Sequence, residues 1–345
     1  MRNIVDSILQ AARRLTCMLS TWELLIVLGL WTTGHAQSIT ITSHPLPQTD
    51  CYGNHVEFSI DITGSTGTVL YQWQQKPPGG NFSDIIGANN ALLNIDNIGV
   101  NKQNVNGTEY RILVTDICGT ITSDAALLSI NSITDLTPAV VNSIICDRGS
   151  ITYKVFTEGN VIENGYQWAW NNGSGWTFLS DEGSYYGTTT SQLSILNATI
   201  AQNGSYRVSV RFHTLNQPGG DTTCIETSST RVRNLVVRAP LSPPIISASQ
   251  QICYGNVPST LTATTASGGS GPVYSYKWQS SYDGLNYKDI SGENNLSYSP
   301  ASITSTTYYR ILTSDSGSPD CGTVYSVPVL ISVSPLPITS SIFHR

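Results

Sequence analysis

Apolar residues recur at every second position along much of this chain. Val56, Phe58, Ile60 and Ile62 alternate with polar neighbours, as do Leu193 with Ile195 and Val208 with Val210. Val327, Val329, Ile331 and Val333 form the last such run. A period of two is that of a strand with one face in a core and the other in water. Turn residues separate the runs: Pro77-Pro78-Gly79-Gly80, Asn171-Asn172-Gly173 and Asp283-Gly284. Short strands divided by such turns predict an all-β chain built of sandwiches.

The pattern repeats three times. The first copy reads Cys51-Tyr52-Gly53-Asn54, Tyr71-Gln72-Trp73-Gln74, Asp84-Ile85-Ile86-Gly87-Ala88-Asn89-Asn90, Tyr110-Arg111 and Cys118-Gly119-Thr120. The third reads Cys253-Tyr254-Gly255-Asn256, Tyr276-Lys277-Trp278-Gln279, Asp289-Ile290-Ser291-Gly292-Glu293-Asn294-Asn295, Tyr309-Arg310 and Cys321-Gly322-Thr323. A looser middle copy keeps Cys146, Tyr166-Gln167-Trp168, Tyr206-Arg207 and Cys224. The tryptophans are 95 and 110 residues apart, the size of one sandwich domain. Domains are therefore expected over 38–131, 132–239 and 240–334, with 335–345 as the start of a linker or a truncated tail. Ser334-Pro335-Leu336-Pro337-Ile338-Thr339 echoes His44-Pro45-Leu46-Pro47-Gln48-Thr49. Short proline-marked linkers at Asn131–Pro138 and Ala239–Pro244 predict a semi-rigid rod.

Composition narrows the function. Only 12% of the 345 residues are charged, against a coiled coil. A net charge of -6 leaves no basic surplus for a nucleic acid. With 39% hydrophobic residues and 7 Trp, 17 Tyr and 6 Phe, the chain can bury cores. Arg13 and Arg14, the apolar run Leu24–Trp31 and the small-residue end Gly34-His35-Ala36 predict a signal peptide over 1–36. No later apolar stretch follows, so no transmembrane segment is expected in the mature chain. An exported chain favours disulfides over metal thiolates, and there is no CxxC spacing for zinc. No cofactor is implied.

The C-x-G before the second strand, the YQWQ-type strand, the D-I-x-G-A/E-N-N turn, the Y-R strand and the C-G-T turn resemble the immunoglobulin-like modules found in tandem in exported proteins of Bacteroidetes-type bacteria. The resemblance covers nearly all of 38–334. It implies a surface role as spacer, adhesin or accessory domain. It also exposes a departure. The places of the usual inter-sheet disulfide are apolar here: Ile60 and Ile112, with Val208 and Ile311 matching Ile112. The actual cysteines, Cys51, Cys118, Cys146, Cys224, Cys253 and Cys321, fall near opposite ends of a sandwich. Because each copy keeps two, pairing within each repeat is expected, with bridges between neighbours or free thiols as alternatives.

Trp73, Trp168, Trp278, Tyr110, Tyr206 and Tyr309 recur in register and are read as core. Phe82, Trp176 and Tyr287 recur eight or nine residues after the tryptophans, as a second framework position. Tyr185 and Tyr186 do not repeat and are the candidate ligand-contacting aromatics. The second copy's long loop, His213–Thr223, is the candidate exposed recognition loop. The histidines and acids are too scattered for a catalytic triad or a glycosidase pair. Asp315, Ser316, Ser318 and Asp320 lack a calcium-loop spacing. The reading is a secreted or cell-surface, non-enzymatic adhesion or spacer protein that meets a protein or glycan partner and no nucleic acid. The alternative is an accessory, carbohydrate-binding region of a larger exported enzyme or adhesin.

Overall fold

Most of the period-two runs become strands with their apolar side in a core. Val56–Ser59 buries Val56 and Phe58 and pairs antiparallel with Leu92–Ile95. The computed structural model describes residues 39–335 apart from 66, 101–103, 218–219, 221 and 272. The expected signal peptide and the tail beyond 335 lie outside the described residues. Within them the chain is all-β, with a single short 3-10 turn at Ile200–Gln202, and no helix is long and apolar enough to cross a membrane.

Three tandem immunoglobulin-like sandwiches follow one another, each with its own core. Phe58, Trp73, Tyr110 and Ile112 belong to the first, Tyr153, Trp168, Tyr206 and Val208 to the second, and Leu261, Trp278, Tyr309 and Ile311 to the third. The three tryptophans have no exposed surface. Each indole N–H still needs an acceptor in a core, and finds a carbonyl 2.9 Å away: that of Asn90, Thr190 or Asn295. The last asparagine of the D-I-x-G-x-N-N turn therefore supplies a backbone acceptor to the core. Burial pushes the phenols of Tyr153 and Tyr309 up to about 12, so they stay neutral.

In the Tyr-Arg pairs the tyrosine enters the core and the arginine points out. Arg111, Arg207 and Arg310 stack on Phe82, Trp176 and Tyr287 at 3.8, 4.2 and 3.8 Å. Arg111 and Arg310 also donate to Gln74 and Gln279, which donate on to Asp84 and Asp289. Ala169 stands where these glutamines stand, and the buried Nε of Arg207 is left without an acceptor.

One face of each module has the same order. A short strand (Gln48–Cys51, Asn142–Ile145 or Gln250–Cys253) runs parallel to the last strand. That strand pairs antiparallel with the Tyr-Arg strand, which pairs with the Trp strand. The last strand is broken near its start by a buried serine. Ser123, Ser228 and Ser326 each accept on Oγ from the amide of Ile112, Val208 or Ile311, at 3.0, 3.0 and 2.9 Å. Sequence reasoning missed these serines, and the expected run from Val327 is corrected by them: the strand begins at Val329 and Val327 is exposed.

The first expected linker is also corrected. Residues 131–137 belong to one twelve-residue strand, Ala126–Thr137, shared by two modules. It pairs in turn with Tyr110 and Glu109, with Gln48–Cys51, and with the second module's Gly149–Glu158. Ala126, Leu128 and Ile130 face the first core, whereas Ile133 and, after a bulge, Leu136 face the second. Adjacent buried residues at Ile130 and Asn131 mark the change of side.

Candidate functional site at the module junctions

Four of the cysteines pair between modules. Cys51 bonds Cys224 with Cα atoms 5.9 Å apart, and Cys146 bonds Cys321 at 5.4 Å, so pairing within each repeat is overturned. A sandwich places the end of its first short strand and its last hairpin at opposite poles, too far for a bond that needs Cα atoms within about 7 Å. End-to-end stacking brings the hairpin pole of one module onto the opposite pole of the module before it, and the cysteines that then face each other belong to neighbours. Cys118 is also disulfide-bonded. Cys253 is a free, exposed thiol.

Asn131 lies at the centre of the first junction, with only 1% of its surface exposed. Its Nδ2 donates to the His213 carbonyl at 2.7 Å and its Oδ1 accepts from the Asn160 amide at 3.3 Å. Its own carbonyl accepts from the Tyr52 amide at 3.0 Å. Gly159, at φ +106°, lies so close that a Cβ would collide with Asn131 Oδ1. Here glycine is required both by its backbone and by the close approach.

The His213–Thr223 loop, expected to be a free recognition loop, is a clasp on the first module. Leu215 exchanges backbone hydrogen bonds with Thr49 at 3.0 and 3.1 Å. The Asn216 and Gln217 amides donate to the carbonyls of Pro47 and Thr49, both at 2.7 Å. Glu226, on the same hairpin, accepts from the Ile133 amide at 2.5 Å. Burial raises the pKa of Glu226 in spite of that bond and of nearby Arg231.

Beside this clasp lies a polar cleft of about 690 Å³. The first module lines it with Asp50, Asn54, His55 and Asp96, the second with Thr214, Gln217 and Thr223. Burial works against a charged His55, but hydrogen bonds to Asp96 at 2.7 Å and Glu57 at 3.3 Å outweigh it and raise its pKa. Both ring nitrogens are directed at carboxylates rather than at a hydroxyl, so this histidine does not form a nucleophile relay. Asp50, Cys51 and Cys224 come within metal-ligand distance of one another. The two sulfurs are bonded to each other, however, and offer no thiolate.

At the second junction, Arg238 approaches Asp315. Burial opposes ionisation of that carboxyl, yet amides from Ser270, Gly317 and Cys321, together with Arg238, lower its pKa. The Ala239–Pro244 segment lies against the third module, with Ser242 and Ser267 bonded in both directions and the Gly269 amide donating to Ala239.

The other sequence candidates are distributed as follows. Tyr110, Tyr206 and Tyr309 are buried with the tryptophans. Tyr185 and Tyr186 form a short strand against Gln192–Ala198, so they point to opposite sides. Tyr185 turns in, its hydroxyl 3.3 Å from that of Tyr206, and Tyr186 is exposed. Asp315 organises its loop through backbone amides.

A family model described as a domain of unknown function, DUF8696, matches residues 39–132 and 242–335. No curated protein matches the chain. Among solved structures, a Glu-to-Ala variant of titin domains I67–I69 is 14% identical, with a TM-score of 0.41, covering 87% of this chain and 99% of that one. Titin domains A168–A170 are 14% identical with a TM-score of 0.34, covering 86% and 100%. Sidekick-1 immunoglobulin domains 1–5 are 14% identical with a TM-score of 0.30, covering 86% and 59%.

Proposed function

This chain belongs to the DUF8696 family, a domain of unknown function matched over its first and third modules, and we propose that it is a secreted or cell-surface, non-enzymatic stalk. Its modules are braced to one another by disulfides, and it serves adhesion or spacing under tension. The observation that carries this reading is the pairing of the cysteine at the end of the short parallel strand, in the first and second modules, with the last hairpin of the following module: Cys51 with Cys224 and Cys146 with Cys321. Two such bonds suit an oxidising compartment outside the cytosol. Placement on a Bacteroidetes-type cell surface, with a protein or glycan partner, is the finer part of the proposal.

The bridges change what a pull can do. The two disulfide loops overlap, so the shortest covalent path from Cys51 to Cys321 runs through 78 residues of the second module instead of 270. At roughly 3.4 Å per extended residue this is about 270 Å instead of about 920 Å. Single-molecule stretching between these two ends tests the reading. The expected outcome is one short release in oxidising buffer and three module-sized releases once reductant is added. Three releases without reductant would sink it. The alternative, a carbohydrate-binding accessory region, has less support, because Tyr185 turns into the core and leaves Tyr186 alone at the surface.

A further inference from the structure

We propose that the pole of the third module around Cys253 is the receptor for the hairpin cysteine of a further module of the same kind. This inference rests on the stalk reading. It comes from a position built three times and bonded in two of them, not from one thiol. Cys51 faces Asn131 across the parallel strands and Cys253 faces Ser334. Cys146 directly follows Ile145, whose carbonyl takes the Arg238 amide at 2.8 Å.

The turn beyond the cysteine is also the same in the first and third modules. Tyr52 donates to Asn131 at 3.0 Å and Tyr254 to Ser334 at 3.2 Å. Gly53 donates to Ile98 at 2.8 Å and Gly255 to Ile303 at 3.0 Å. Asn54 and Asn256 return to their cysteine carbonyls, each at 3.1 Å.

What differs is the cover. The second module leaves Cys51 2% exposed, whereas Cys253 is open to solvent with Tyr254 and Val257 beside it. The occupant that fits is the one that already covers the equivalent poles: a last hairpin carrying a cysteine, as Thr223–Thr227 carries Cys224. The sequence Ser334-Pro335-Leu336-Pro337, which leaves the third module, matches the Pro45-Leu46-Pro47 stretch leading to Cys51.

Closing the bond joins two sulfurs and releases two protons and two electrons. A small-molecule or protein disulfide accepts the electrons and becomes two thiols, by thiolate attack through a mixed disulfide.

The test extends the chain at Ser334, in one version with residues 132–238 and in another with residues 239–334, followed by oxidation with a glutathione pair and non-reducing peptide mapping. The expected result is a peptide linking Cys253 to the appended Cys224 or Cys321, absent when Cys253→Ser is introduced. Cys253 still alkylatable in both extended chains, or bonded to Cys253 of a second copy, would overturn the proposal. The Cys51–Cys224 and Cys146–Cys321 peptides in the same digests report on the stalk reading separately, since their loss would count against that reading and not against the role of Cys253.

Discussion

The two module junctions are held in different ways. At the first, a single strand passes from one core into the next, Asn131 is saturated with hydrogen bonds, a hairpin clasps Thr49, and the disulfide is buried at both ends. At the second, the strand stops at Val237, a proline-rich segment follows, and the disulfide is half-exposed. The same cysteine register thus serves two purposes. At the first junction the bond reinforces a joint that strand pairing and packing already define. At the second it is the main tie, with Arg238 near Asp315 as its polar companion.

The largest effect expected to separate the junctions comes from removing their bridges. Losing either one costs stability, about 2–5 kcal/mol each, but the geometry should respond only at the second. With Cys146→Ser and Cys321→Ser, the spin-label distance between the second and third modules should broaden. With Cys51→Ser and Cys224→Ser, the distance across the first junction should stay narrow. Equal broadening at both would show that the continuous strand is not a joint.

A smaller effect is expected at Asn131. Asn131→Ala strands the His213 carbonyl and the Asn160 amide and should cost about 1–3 kcal/mol in denaturant unfolding. Arg238→Ala at the matching place should cost about 1 kcal/mol or less. A reversed order would mean that the first junction draws its rigidity from elsewhere.

The smallest effect is one of pH. His55, on the rim of the first junction's cleft, has a raised pKa. Its contribution is therefore fully present below the ordinary value of 6.5 and is lost as pH rises through the raised one. Asp315 at the second junction is lowered, so its contribution is present above 3.8 and fails only in stronger acid. Between pH 6 and 8, melting of the first module should drop slightly as pH rises, by less than about 1 kcal/mol because the ring is partly exposed. The drop should vanish in His55→Gln, and the third module should not respond.

The repeat of Trp, Tyr-Arg and turn motifs was legible because each motif answers a need met within one module. The indole needs a carbonyl from its own turn, the arginine an aromatic from its own hairpin, and the alternating residues their own core. The serines at 123, 228 and 326 were not legible, since a serine after a turn looks the same whether or not its hydroxyl replaces a ladder bond. The clasp was misread for a related reason: Asn216 and Gln217 look like solvated loop residues until a neighbouring strand end supplies their acceptors.

By itself, then, the amino-acid sequence determined the strand period, the number of modules and the residues of each core, because burial within about one hundred residues leaves a local periodic trace. Only the tertiary structure decided the junctions. Whether Ala126–Thr137 bends into a linker or runs on as a strand, and which cysteines meet, depends on how one sandwich is stacked on the next. That choice sets which poles face each other across 173 and 175 residues of chain, a separation over which sequence spacing carries no record of distance.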